Sequence, residues 1–174
     1  RAAIWSQLQG KTGAIVSRTC FFLASLDALR SSVFTELLHL DVLADLGSGV
    51  LDAMVETASA VFSRTKPLSK DAVFFRLLNY DNKEHELLDC IDNTKNAATS
   101  INIFLNNPEN FSILSACPYV YWITPTIIRK IANHPTLQPE ACDIRVGLQT
   151  GDDNRFLRLW YEAPPELILC LPSS

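Results

Sequence analysis

Apolar residues recur at three- and four-residue spacing from Phe22 through Leu26, Leu29 and Val33 to Leu37, which predicts an amphipathic helix over 22–36. Ahead of it, Gly13-Ala14-Ile15-Val16 reads as a short buried strand, with a polar turn from Ser17 to Thr19. Residues 1–9 place Ile4, Trp5 and Leu8 on one side and predict a helix. Leu40 to Leu46 alternates as a strand does, Gly47-Ser48-Gly49 turns the chain, and Val55 to Arg64 reads as a second, half-buried strand. These two strands are expected to pair as a long antiparallel hairpin. Pro67 interrupts the pattern, Ala72 to Leu78 predicts a third strand, and Asp81 to Thr99 a polar helix carrying Leu87, Leu88 and Ile91.

The pattern changes after residue 100. Asn106-Asn107-Pro108-Glu109-Asn110 reads as a loop or linker, and Pro118 to Trp122 as an aromatic strand or turn. Thr124 and Pro125 have the chemistry of an N-cap followed by a first helical position, opening a helix that stops near Asn133, before Pro135. A turn at Gly147 and a strand over 156–161 follow. These shifts divide the chain into residues 1–105 and residues 106–174.

With 48% hydrophobic and 20% charged residues in 174, the chain can bury a core. The net charge of −4 excludes a whole-surface nucleic-acid binder but leaves room for a local basic groove. No apolar run is long enough to span a bilayer and no signal peptide is visible, so a cytoplasmic protein with no membrane partner is expected. Cys20, Cys90, Cys117, Cys142 and Cys170 are scattered without a C-x-x-C pair, which fits reduced thiols. His39, His85 and His134 lie far apart, and no metal site is expected. The chain starts at Arg1 and finishes on the apolar run 167–171, which reads as a piece of a longer protein.

The stretch 147–156, Gly-Leu-Gln-Thr-Gly-Asp-Asp-Asn-Arg-Phe, carries the most chemical information. Gly147 to Gly151 invites a tight turn with free backbone N–H groups, which can take an anion, and Arg145, Arg155 and Arg158 surround it with positive charge. Gly10-Lys11-Thr12-Gly13 fails the spacing of a phosphate-binding loop. The common nucleophile and zinc-protease signatures are absent, so no catalytic residue is assigned.

Gly13-Ala14-Ile15-Val16-Ser17-Arg18-Thr19-Cys20-Phe21-Phe22-Leu23-Ala24-Ser25, then Leu29-Arg30, resembles the strand–turn–helix after the catalytic loop in adenine-specific DNA methyltransferases of the phage-growth-limitation (BREX-type) family. Asp45-Leu46-Gly47-Ser48-Gly49-Val50-Leu51-Asp52 resembles that family's L-G-x-G-x-F-D, and Tyr121-Trp122-Ile123-Thr124 its Y-W-V-S element. Gly147 to Glu162 is similar to G-L-x-T-G-D-N-x-R-F-x-R-x-W-x-E, which opens the family's target-recognition region. The resemblance implies an α/β fold: the rear half of a Rossmann-like methyltransferase sheet with an antiparallel hairpin, followed by a partial α+β target-recognition region.

The resemblance also implies a parent enzyme that transfers a methyl group from S-adenosylmethionine to adenine in double-stranded DNA, alongside other phage-defence subunits. The family's Gly-rich cofactor turn and Asn-Pro-Pro-Tyr loop are missing here, and Asn107-Pro108-Glu109 does not replace the loop. By the resemblance both belong N-terminal to Arg1, so the segment is expected to be inactive and to bind no S-adenosylmethionine. The DNA-contacting residues are expected to be Arg18, Thr19, Gly147, Thr150, Gly151, Asn154 and Arg155. Leu51 stands where relatives carry an aromatic ring of the target-base pocket, or else is a hairpin core residue. Lys66, Lys70 and Arg76 line the DNA cleft or a solvated face. Phe21, Phe22, Phe74 and Phe75 are assigned to the core, and Tyr121, Trp122, Trp160 and Tyr161 are core residues ahead of stacking platforms. The competing reading is a non-enzymatic α/β module that binds DNA or protein, or a gene remnant.

Overall fold

Five strands form one mixed sheet in the order β1-β3-β2-β4-β5. They are β1 Lys11–Ser17, β2 His39–Gly47, β3 Thr57–Ser63, β4 Ala72–Arg76 and β5 Ile103–Asn106. The computed structural model describes residues 10–52, 54–65, 69–96 and 100–134, with Gln7, Leu157 and Glu162. The chain divides into two compact units, Arg1–His134 and Pro135–Ser174. The sheet belongs to the first. Of the second, Leu157 and Glu162 are described, and both are exposed.

The expected hairpin is present: β2 and β3 pair antiparallel, with Leu43 opposite Ala60. The register shifts between Leu40 and Val42 and again between Asp45 and Gly47. β3 also pairs antiparallel with β1, Gly13 opposite Val61, and β4 lies parallel to β2, Leu43 opposite Phe74. Hence β1, β2 and β4 share one direction, and their carboxyl ends lie along one edge. β5, absent from the sequence expectation, runs antiparallel to β4. It has only four residues, too few to show an alternation.

The turn after β2 needs left-handed backbone. Gly47 has φ +68° and Gly49 φ +78°, and Leu51 and Asp52 follow at 58° and 51°. For glycine this conformation carries no Cβ penalty.

The helix expected over 22–36 is broken. α1 covers Thr19–Phe22, a 3₁₀ turn Ala24–Leu26, and a π-helix Leu29–Leu37, separated by Leu23 in extended conformation. Arg30 spans the break with its guanidinium. Its Nη1 donates to Cys20 O at 3.0 Å and its Nη2 to Leu23 O at 2.7 Å. The same guanidinium reaches Ala116 O at 2.6 Å and Cys117 O at 3.0 Å. Both of those residues have positive φ. Arg30 is 1% exposed, so one buried cation fastens the broken helix to a strained turn 86 and 87 residues away.

The sheet has two packed faces. On the first, Leu43, Ala58, Ala60, Phe62 and Phe74 meet Phe21, Phe111, Tyr119, Tyr121 and Ile128. Tyr121 stacks on Phe74 with ring centroids 5.0 Å apart and planes 9° from parallel. On the second, Ala44, Leu46, Phe75 and Leu77 meet Cys90, Leu87 and Ile91 of α2 (Lys83–Lys95). Asn82 caps α2 by accepting from His85 N at 3.1 Å. Residues 118–122 form a turn rather than a strand, with Tyr119 and Tyr121 buried. α3 (Pro125–Asn133) starts as expected behind Thr124, although the Thr124 side chain makes no capping bond. The helix expected over 1–9 and the strand over 156–161 lie outside the described residues apart from Gln7 and Leu157.

Candidate functional site

The carboxyl ends of β1, β2 and β4 bring together Arg18, Asp45, Glu56, Arg76 and Tyr121. Asp45 comes from β2, in phase with core residue Leu43, so its side chain points into the first face of the sheet and is 0% exposed. A buried carboxylate must be fully hydrogen-bonded. Arg18 Nε donates to its Oδ1 at 2.6 Å, and Tyr121 Oη donates to its Oδ2 at 2.7 Å. Arg18 Nη1 also reaches Glu56 Oε2 at 3.0 Å. The Arg18 backbone N–H donates to Glu56 O at 2.9 Å, which fixes the turn after β1 to the start of β3.

Aromatic rings flank this ion pair. The Arg18 guanidinium carbon lies 4.4 Å from the Phe22 ring centroid. Phe22 neighbours Trp122 at 5.7 Å, and the Arg76 guanidinium carbon lies 5.3 Å from the Trp122 centroid. The edge therefore carries two cations, each over a ring. Burial pushes the Tyr121 hydroxyl well above the usual tyrosine range, and the Asp45 charge adds to the shift, so this group stays a neutral donor. For Arg18, burial disfavours the charge, but the hydrogen bonds and charges of Asp45 and Glu56 outweigh it and raise the pKa. A cavity of about 210 Å³ opens beside the pair, lined by Arg18, Thr19, Phe22, Leu23 and Glu56. Thr19 shares a 2.8 Å hydrogen bond with Ser17.

Of the expected site residues, Arg18 and Thr19 stand together at this edge. Leu51 is 72% exposed in the loop after β2, so it is not a hairpin core residue. It borders an open groove of about 580 Å³ with Gly49, Val50 and residues 81–84. Arg76 joins the Arg18 edge, whereas Lys70 lies near the start of β4, at the sheet's opposite end. Gly147, Thr150, Gly151, Asn154, Arg155 and Lys66 lie outside the described residues. Among the described residues no group of three or more His, Cys, Asp or Glu side chains could hold a metal ion, and no helix is long and apolar enough to cross a membrane.

No site role is assigned to Asp45, Glu56 or Tyr121 from sequence. The signal for Asp45 was there: a carboxylate on the same side of the alternation as Leu43, a position that normally holds an apolar residue. Tyr121 was assigned to the core, and it is buried, but its hydroxyl is also the second donor to Asp45.

No protein-family profile matches the chain, and no curated protein sequence does. Solved structures similar to it include a modification subunit ascribed to a type I restriction enzyme of Vibrio vulnificus YJ016, at 15% identity and a TM-score of 0.49 over 64% of this chain. The methyltransferase subunit of a type I restriction-modification system from Streptococcus thermophilus is similar at 10% identity and 0.47 over 59%. A structure concerned with complex assembly and conformational transition of the type I system is similar at 16% and 0.45 over 68%. The chain spans about a quarter of the length of these structures: 25%, 24% and 28%.

Proposed function

We propose that this chain is a segment of a site-specific DNA adenine methyltransferase of the phage-growth-limitation type. Residues 1–105 would belong to the rear of its catalytic sheet, and residues 106–174 to a linker and the start of its target-recognition region. The observation that carries the reading is the direction of β3. It is a reversed strand, reached by a hairpin from β2 and inserted between β2 and β1, which share a direction. An antiparallel hairpin within a mixed sheet is in keeping with what the sequence resemblance implies. Arg18 and Thr19 stand at the carboxyl edge, where ligands gather in open α/β sheets.

In the parent reaction the target adenine leaves the duplex, since its amine is unreachable while stacked. S-adenosylmethionine, when bound to the parent, supplies the methyl group. Among the described residues the Asn-Pro pair does not fit a clamp for the target amine. The one Asn-Pro pair in the sequence follows β5, at the sheet end opposite Arg18. Asn107 Oδ1 there accepts from Glu109 N at 2.9 Å and caps a 3₁₀ turn, which leaves it no role as a base clamp. The segment's part is therefore DNA contact. Arg18 and Thr19, and in the stretch 147–155 Gly147, Thr150, Gly151, Asn154 and Arg155, would hold the phosphate backbone and fix register. Leu51 would line the base pocket without the stacking a ring provides. Other phage-defence subunits are the expected protein partners, and the cytoplasm the expected compartment.

The test is a pair of titrations on the purified chain. Calorimetry should detect no S-adenosylmethionine binding, and duplex DNA should bind with an affinity that falls as salt rises. Micromolar cofactor affinity, or no binding of duplex, would overturn the proposal. The second outcome favours a non-enzymatic interaction module. For that reading the relevant feature is the second face of the sheet, where Val42, Val61, Val73, Phe75, Leu87 and Ile91 line an open apolar groove of about 410 Å³.

A further inference from the structure

We infer that the Arg18 guanidinium is a phosphate-oxygen site held in place by Asp45, Tyr121 and Phe22, and that Glu56 is its built-in competitor. The inference rests on the DNA-contact reading above and adds to it the device that presents and guards the arginine. Two carboxylates share one guanidinium, and their surroundings differ sharply. Asp45 is wholly buried, whereas the Glu56 side chain is 55% exposed. Both Asp45 oxygens are occupied, by Arg18 at 2.6 Å and Tyr121 at 2.7 Å, so this carboxylate cannot turn. The Phe22 ring fixes the plane of the guanidinium from one side. Position and orientation of the Arg18 fork are thus set without Glu56.

Glu56 occupies Nη1 as a phosphate oxygen would, and an exposed pair of this kind is weakly held. Its backbone is tied to Arg18 N–H through its carbonyl, so only the side chain has to leave. The charge at the edge then changes. Arg18 and Arg76 balance Asp45 and Glu56, and removing the Glu56 side chain from Nη1 leaves two cations facing one buried carboxylate. The cavity of about 210 Å³ beside Arg18 gives an incoming oxyanion access. A planar guanidinium can offer two N–H groups to such a ligand, which an ammonium cannot do. Asp45, Tyr121 and Phe22 are positioning residues in this arrangement.

The test is a double-mutant cycle read by fluorescence anisotropy with a short labelled duplex, together with inorganic phosphate as a separate probe. Glu56→Gln should tighten duplex binding about two- to fivefold, the scale of an exposed ion pair. Arg18→Gln should weaken it and lower the slope of log affinity against log salt by about 1. Competition for one guanidinium requires the gain from Glu56→Gln to vanish in the Arg18→Gln background. If the gain persists there, Glu56 acts only by general repulsion and the inference fails. Near-UV circular dichroism checks the fold, and the pair Arg18→Gln with Asp45→Asn, which leaves no buried charge unpaired, serves as the background if Arg18→Gln alone does not fold. Binding of inorganic phosphate that depends on Arg18 and tightens with Glu56→Gln, without binding of duplex, would keep this inference and sink the DNA reading. Duplex binding indifferent to both substitutions would sink the inference alone.

Discussion

Replacing Arg30 with Met keeps a long flexible side chain and removes the guanidinium that joins four backbone carbonyls. Hydrogen bonds to a charged group are each worth about 1.5–3 kcal/mol, so four would give roughly 6–12 kcal/mol if nothing compensated. Two effects reduce this. The variant no longer desolvates a buried cation, a cost of several kcal/mol. Leu23 is 49% exposed, and water can reach part of what Arg30 leaves behind. A net loss of about 3–5 kcal/mol remains once these offsets are taken from the hydrogen-bond total. Urea denaturation at neutral pH measures it: with a slope of about 2 kcal/mol/M the midpoint should fall by roughly 2 M. Because a domain of this size holds only about 5–15 kcal/mol in total, the variant should sit close to its folding threshold. Arg30→Lys should not rescue it, since three donors on one nitrogen cannot span carbonyls from residues 20, 23, 116 and 117. Amide exchange should quicken at Tyr119, whose N–H donates to Phe21 O at 2.9 Å across the fastened segments. A loss below about 1 kcal/mol in the Met variant would refute the account of Arg30 as the fastener.

Tyr119 and Tyr121 are both held above the ordinary tyrosine range, chiefly by burial, so the folded state keeps protons that the unfolded chain releases. Their contribution is intact below about pH 10 and falls above it by about 1.4 kcal/mol per pH unit for each. Melting temperatures between about pH 9 and pH 11 should decline accordingly, and Tyr121→Phe should flatten the decline. Gly47→Ala should cost more than Gly49→Ala by urea melt. Both have positive φ, at about 1–2 kcal/mol for an added Cβ, but at Gly47 the Cβ would also lie 3.1 Å from Leu78 Cδ2, while at Gly49 it meets nothing within 4 Å. Equal losses would contradict that packing. Burial raises the Cys90 thiol, with Glu86 and Asp89 adding to the shift, and the residue is 1% exposed. Iodoacetamide should modify it more slowly than Cys20 and Cys117, as followed by peptide mass spectrometry.

The strands of the hairpin were legible because β2 and β3 are local: an alternation, a Gly-Ser-Gly turn and a second alternation specify one another within a few residues. The parallel pairing of β4 with β2 was not legible, since no nearby residue records it. The helix over 22–36 had the right spacing and still broke at Leu23, whose carbonyl shares the Arg30 guanidinium with the carbonyls of Ala116 and Cys117. Arg30 and Asp45 show what kind of information the sequence does hold about distant structure. Each sits in phase with apolar neighbours, Arg30 with Leu26, Val33 and Phe34, and Asp45 with Leu43. A charged residue at such a position is driven inward by its neighbours and cannot remain there unpaired. The sequence therefore announces that both residues need partners. It does not name Ala116, Cys117 or Tyr121, because the requirement is chemical and local whereas its satisfaction depends on how segments far apart in the chain return to the sheet. The residues most useful for locating a site from sequence are accordingly those that violate their own pattern, and Asp45, a carboxylate near the end of its strand, is the residue around which Arg18 and Tyr121 are organised.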